Sequence, residues 1–247
     1  MGDTISEGVI GGPQRQRPVF ILALDASLSR CSVALHGEGR LLAQQVRDGD
    51  RGHASALPPM AAAVLAEAGL RAADLDAVAA VVGPGGFTGL RAALALAHGI
   101  ALGAGLPVIG VTTGEALAAA LPPEQRAGRA VWAAVDNKRG RVALERFARG
   151  CSAAAPCPPE VFSADELPPV GCGRIVVAGD AAELVAGRLL ARGDDALLSA
   201  VRLPEAAGAA RVAALRLAGR LPPLPARPLY AEPPAVRRPE AAAAPGA

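Results

Sequence analysis

Residues 81–105, VVGPGGFTGLRAALALAHGIALGAG, run from an apolar strand end through a loop with three glycines in four positions into a long helix of small residues. Gly83, Gly85 and Gly86 reach backbone angles that side chains resist, so the chain can turn sharply and bring its amides close to another group. A turn of this kind feeding a helix N-terminus has the shape of an anion cradle. Neither phosphate signature is complete: GxGxxG needs glycine where Thr88 stands, and no lysine follows as GxxxxGK[ST] requires. A tight strand-to-helix turn and a weak ligand loop both remain open readings.

Outward from that loop, apolar runs and breakers predict strands over 20–24, 31–35 and 41–46, then a helix over 55–68 and a strand over 78–82. A helix over 89–103 and a strand over 108–111 follow. The order is strand, strand, strand, helix, strand, helix, and it begins again after residue 128. Strands are expected at 131–135, 142–147 and 175–178, an irregular edge within 150–173, and helices over 181–191 and 205–218. Asp25 and Asp136 end the first strand of each half, so the second half reads as a shortened copy of the first. The expected class is α/β, with a mixed sheet in each of two lobes and a cleft between them. The boundaries read as a disordered extension over 1–17, a first lobe over 18–116, a smaller second lobe with a returning C-terminal helix over 117–220, and a Pro/Ala-rich tail over 221–247.

A chain of 247 residues, 51% hydrophobic but only 2% aromatic, must pack its core from Leu, Val and Ile, with Ala and Gly approaching closely. A net charge of +2, with Lys138 as the only lysine, does not call for nucleic acid and leaves no P-loop lysine. Cys31, Cys151, Cys157 and Cys172 form no CxxC pair, so a zinc site is not expected. His36, His53 and His98 are scattered rather than spaced for a shared ion. No secretory leader is read, the apolar stretch 92–111 divides into helix and strand rather than spanning a membrane, and a cytoplasmic protein is expected.

Asp25, His53 with Leu57 and Pro58, and above all GPGGFTGLR from Gly83 to Arg91 resemble the TsaB family, whose members act in making threonylcarbamoyladenosine on tRNA. The motif residues are His53, Gly83, Pro84, Gly85, Phe87, Thr88, Gly89 and Arg91; the likeness continues through AVDNKRGRV at 134–142 and RPLY at 227–230. It implies the two-lobed actin-like, Hsp70-like ATPase fold and a non-catalytic subunit that dimerises with the catalytic TsaD and recruits TsaE. It further implies tRNA contact only through the complex. Two departures stand out. Gly86 occupies a position where the family usually carries Ser, and the family's Tyr-Leu-Arg becomes Tyr230, Ala231, Glu232.

An actin-like ATPase needs glycine beside its strand-end carboxylates to admit phosphates. Asp25 is followed by Ala26 and Ser27, and Asp136 by Asn137 and Lys138. Asp25, Gly83, Gly85, Gly86 and Asp136 therefore read as a degenerate nucleotide cleft. No cofactor is expected for the chain alone, and ATP or ADP would bind only in the assembled complex. The rival reading is an enzyme, an ATPase or sugar-kinase relative, or a peptidase. For a partner interface the helical stripes Leu57, Met60, Ala61, Val64 and Leu90, Leu94, Ala97, Ala101 are the candidates, covered by TsaD, by a second copy, or by a neighbouring helix of the same chain.

Overall fold

In a computed structural model, residues 18–138, 140–150, 158–171 and 173–232 are described. The extension over 1–17, the end of the tail over 233–247, and Cys151, Cys157 and Cys172 lie outside them. Cys31 is buried as a free thiol.

The first half folds as β1 (Ile21–Leu28), β2 (Arg30–Gly37), β3 (Arg40–Asp48), α1 (His53–Glu67), β4 (Ala77–Gly83), α2 (Phe87–Ala104) and β5 (Val108–Thr112). Its sheet has the order β3-β2-β1-β4-β5. β1, β2 and β3 pair antiparallel, and β4 and β5 are added in parallel. Next come α3 (Thr113–Ala120) and a single turn, α4 (Pro123–Arg126). The second half contains β6 (Ala130–Asp136), β7 (Arg141–Phe147), β8 (Glu160–Ser163), β9 (Ile175–Ala178), α5 (Ala182–Ala191), β10 (Ala196–Leu198) and α6 (Ala206–Leu217). Read from its other edge, the second sheet runs β8-β7-β6-β9-β10 with the same pattern of antiparallel and parallel pairs. The duplicated unit and the actin-like fold read from the sequence are therefore present. The copy is shortened where α1 would stand, because among the described residues no helix lies between β8 and β9.

Strand alternation decides the layers. Leu22, Leu24, Val33, Leu35, Val78, Ala80 and Val82 face α1 and α2 on one side of the first sheet. Ile21, Ala23, Ala34, Ala79 and Val81 face α6 on the other. In the second sheet Trp132, Leu144 and Val177 face α5. Val131, Ala133, Phe147 and Val176 face Leu117 and Ala118 of α3. Helices α3 and α6 thus form a buried layer between the two sheets. They pack closely because Gly208 has no side chain: a Cβ there would lie 2.5 Å from the Ala116 carbonyl oxygen.

Helix α3 is absent from the sequence-based expectation, although its start carries a capping box. The Thr112 side chain accepts from Glu115 N at 3.0 Å, and Glu115 Oε2 accepts from Thr112 N at 2.9 Å. Two further boundaries shift. Helix α6, read with the second lobe, packs on the first sheet. Residues 221–232, read as tail, contain Leu224, Ala226 and Leu229 packed on the first core. Among the described residues α2 alone is long and apolar enough to cross a membrane, and it lies against β1 and β4.

Candidate functional site

The two lobes enclose a cleft of about 990 Å³, lined from the first by the glycine loop and the start of α2, and from the second by Asp136, Asn137, Lys138 and Asp180. Of the five residues read as weak ligand contacts, Gly85, Gly86 and Asp136 line it, whereas Asp25 and Gly83 do not. Asp25 is fully buried in β1 and accepts from Ser27 N at 2.9 Å through Oδ1, while Oδ2 has no partner. Burial raises its pKa from 3.8 to about 6. Asp136 accepts from Lys138 N at 2.8 Å and holds its Nζ at 3.3 Å. Asp180 accepts from Asp136 N at 2.9 Å, and its pKa is raised mainly by burial.

The glycines of the loop serve packing more than ligand approach. Gly86 N donates to the Ser27 carbonyl at 2.7 Å, so the anion-cradle amide already has a partner within the chain. A Cβ on Gly85 would lie 2.2 Å from Ser27 O, and one on Gly89 would lie 2.0 Å from Ala26 O. The glycine loop therefore lets α2 start directly against the end of β1. Among the described residues four carboxylates, Asp50, Asp136, Asp180 and Glu232, line the cleft against two cations, Arg91 and Lys138. A bare phosphate entering this field meets repulsion unless a cation accompanies it.

Of the motif residues, His53, Pro84, Gly85, Phe87, Thr88, Gly89 and Arg91 line the cleft and Gly83 does not. His53 Nε2 lies 2.6 Å from Gly49 O, and its Nδ1 lies 3.2 Å from where a Gly89 Cβ would stand. The Arg91 guanidinium sits 3.7 Å over the Phe87 ring and donates to Tyr230 Oη at 3.2 Å. Phe87 and Tyr230 stack with centroids 6.1 Å apart. RPLY and GPGGFTGLR, distant in sequence, thus form one cluster at the mouth of the cleft. Among the described residues no group of three metal-binding side chains occurs.

The proposed interface stripes are misplaced. Leu57, Ala61, Val64, Leu90, Leu94, Ala97 and Ala101 are buried in the first core and Met60 is half-buried against it. Apolar residues extend onto both sides of each helix and the sheet takes the side carrying the larger ones, while Ser55 and Glu67 on α1 and Thr88, Arg91 and His98 on α2 are also exposed. The exposed sides hold Pro58, Pro59, Ala62, Ala63 and Ala66 on α1, and Ala95, Gly99, Leu102 and Gly103 on α2. Only five of the eighteen residues of α2 are buried, and Leu102 is 86% exposed. Periodicity alone could not have chosen between the two faces.

Residues 41–162 match a family model described as TsaD, tRNA N6-adenosine threonylcarbamoyltransferase. The chain is similar to the tRNA threonylcarbamoyladenosine biosynthesis protein TsaB of Escherichia coli, 38% identical over 129 residues, 52% of this chain and 55% of that protein. It spans about half the length of the curated relatives that it matches. A solved structure of YeaZ from Pseudomonas aeruginosa superposes with a TM-score of 0.73 at 31% identity, covering 86% of this chain and 99% of that one. A second structure from that organism, described as uncharacterized with similarity to peptidase YeaZ, gives a TM-score of 0.74 at 30% identity, over 87% of this chain and 100% of that one.

Proposed function

Because the chain belongs to the TsaB family, whose solved relatives carry the name YeaZ, we propose that it acts in the biosynthesis of threonylcarbamoyladenosine on tRNA. Its role in this reading is a non-catalytic cytoplasmic scaffold that binds TsaD, with TsaE as a further partner and tRNA reached only through the complex. The exposed apolar side of α2 carries the proposal, since a helix this apolar with only five buried residues loses free energy in water until something covers it. Ala95, Gly99 and Gly103 recur every four residues, which lets a second helix approach closely. The match of this chain to the TsaD model supports a partner of the same fold, whose equivalent helices would pair with these across a pseudo-twofold axis.

Leu102→Asp and Ala95→Arg are expected to weaken the complex with a cognate TsaD more than tenfold, measured by titration calorimetry, while leaving the melting temperature of the free chain unchanged. Unaltered affinity in both variants sinks this face as the interface. A homodimer using the same face would be weakened by the same variants in light scattering of the chain alone. Leu94→Asp and Val64→Asp bury a charge in the first core, so they unfold that lobe and report nothing about partners.

The enzyme reading, an ATPase or sugar-kinase relative or a peptidase, draws its support from the 990 Å³ cleft. Against nucleotide chemistry stand the burial of Asp25 beneath that cleft and its excess of carboxylates. We expect no micromolar binding of ATP with magnesium to the isolated chain by calorimetry. Micromolar binding with turnover favours the enzyme.

A further inference from the structure

Residues 224–232 cross from the first lobe to the second, and the two ends are fastened differently. On the first lobe the attachment is main-chain and deep. Gly110 N donates to Leu224 O at 2.9 Å, and Leu229 N donates to Val82 O at 2.8 Å. Ile109 bridges Pro225, and His98 Nε2 lies 2.8 Å from Ala226 O. Two glycines keep this path open: a Cβ on Gly110 would lie 2.6 Å from Pro225 O, and one on Gly83 would lie 2.6 Å from Leu229 O.

On the second lobe the attachment depends on side chains. Asn137 Nδ2 donates to Glu232 Oε2 at 3.0 Å, Arg141 pairs with Glu232 Oε1, and Ala231 rests against the second core. The Arg141 and Glu232 side chains are 48% and 22% exposed, so water and salt reach the pair. Asn137, Tyr230 and Glu232 all line the cleft. The charge at 232 is the one that reverses the residue expected from the family resemblance, and here it meets an arginine of opposite sign.

We propose that residues 224–232 are a clasp that stays bound to the first lobe and fastens to the second through Glu232, so that the Glu232–Arg141 pair sets how far the cleft opens. The α3 and α6 layer is the permanent joint between the lobes, since its apolar contacts and the Glu115–Arg216 pair within it are buried. The clasp is the contact that releases, because an exposed ion pair contributes little and weakens with salt. Asn137, which faces the cleft and donates to the same carboxylate, makes the fastening sensitive to whatever occupies the cleft.

Spin labels on Glu67→Cys of α1 and Glu183→Cys of α5, both exposed, report the distance between lobes in a full-length chain whose four native cysteines are replaced. Glu232→Arg and Arg141→Glu should each raise the population of the longer distance about fivefold. The double exchange should return it to that of the parent, and 1 M salt should widen the distribution of the parent but not that of Glu232→Ala. Single variants with the parental distribution overturn the proposal, as does a double exchange that stays open. A melting temperature within a few degrees of the parent confirms that each variant is folded.

Discussion

Gly89→Ala is expected to destabilise the first lobe by about 3 kcal/mol or more, with soluble yield falling accordingly. The new Cβ would lie 2.0 Å from the Ala26 carbonyl oxygen and 3.2 Å from His53 Nδ1. Ala26 lies in the irregular end of β1 between the paired residues Asp25 and Leu28, so either that strand end or the start of α2 would have to move. Gly86→Ser provides the unstrained control, because Gly86 has a φ of −67° and its Cβ would meet nothing closer than Ser27 O at 3.6 Å. Gly86 is also the N-cap of α2 and provides no side-chain bond. Serine there should add a few tenths of a kcal/mol by capping the free amides. Urea denaturation of both variants checks the contrast, and equal effects would refute this account of the loop.

The second large effect is a dependence of stability on pH that Glu145→Gln reduces. Glu145 comes from β7 but caps the start of α3, accepting from Gly114 N at 2.9 Å through Oε1, with Oε2 lying 2.5 Å from Thr112 Oγ1. Glu115 and Arg216 are its charged neighbours, joined to each other at 2.6 Å. Burial raises the Glu145 pKa from 4.5 to about 8, against the opposing hydrogen bonds from Thr112 and Gly114. The folded chain therefore holds a proton that the unfolded chain releases, and the stability due to Glu145 falls as pH rises from 4.5 towards 8. At about 1.4 kcal/mol per tenfold change in proton affinity, the loss has an upper bound of roughly 5 kcal/mol. Asp25 acts in the same direction as pH passes through about 6. Denaturation of parent and Glu145→Gln at pH 5, 6.5 and 8 should give curves that converge or cross as pH rises. Parallel curves would show that Glu145 titrates alike in both states.

Much of this architecture is legible in local pattern. The continuous apolar runs of β1 and β4, the glycine loop and Asp136 at the end of β6 are each visible within a few residues, whereas Asp25, read as a strand end, lies inside β1, which runs on to Leu28. Helix α3 was legible too, since Thr112 and Glu115 have capping-box spacing, but its short alanine-rich body gives a weak period. The candidate site was harder to read. Asp25 is fully buried within β1, whereas Asp136 ends β6 and lines the cleft. Their nearest neighbours in sequence do not encode that difference in exposure.

Backbone and side-chain chemistry along the chain was enough to specify the two α/β halves, the order of most of their elements along the chain and the turn that launches α2. Folding alone decided which sides of α1 and α2 meet the sheet, because their apolar residues are spread over more than one face and the few polar ones, such as Glu67 and Arg91, orient them only weakly. Folding alone also placed Glu145 at the start of α3, and Glu232 beside Arg141, 91 positions away in the chain. Contacts of that range depend on how two finished lobes fit together, and no local periodicity carries them.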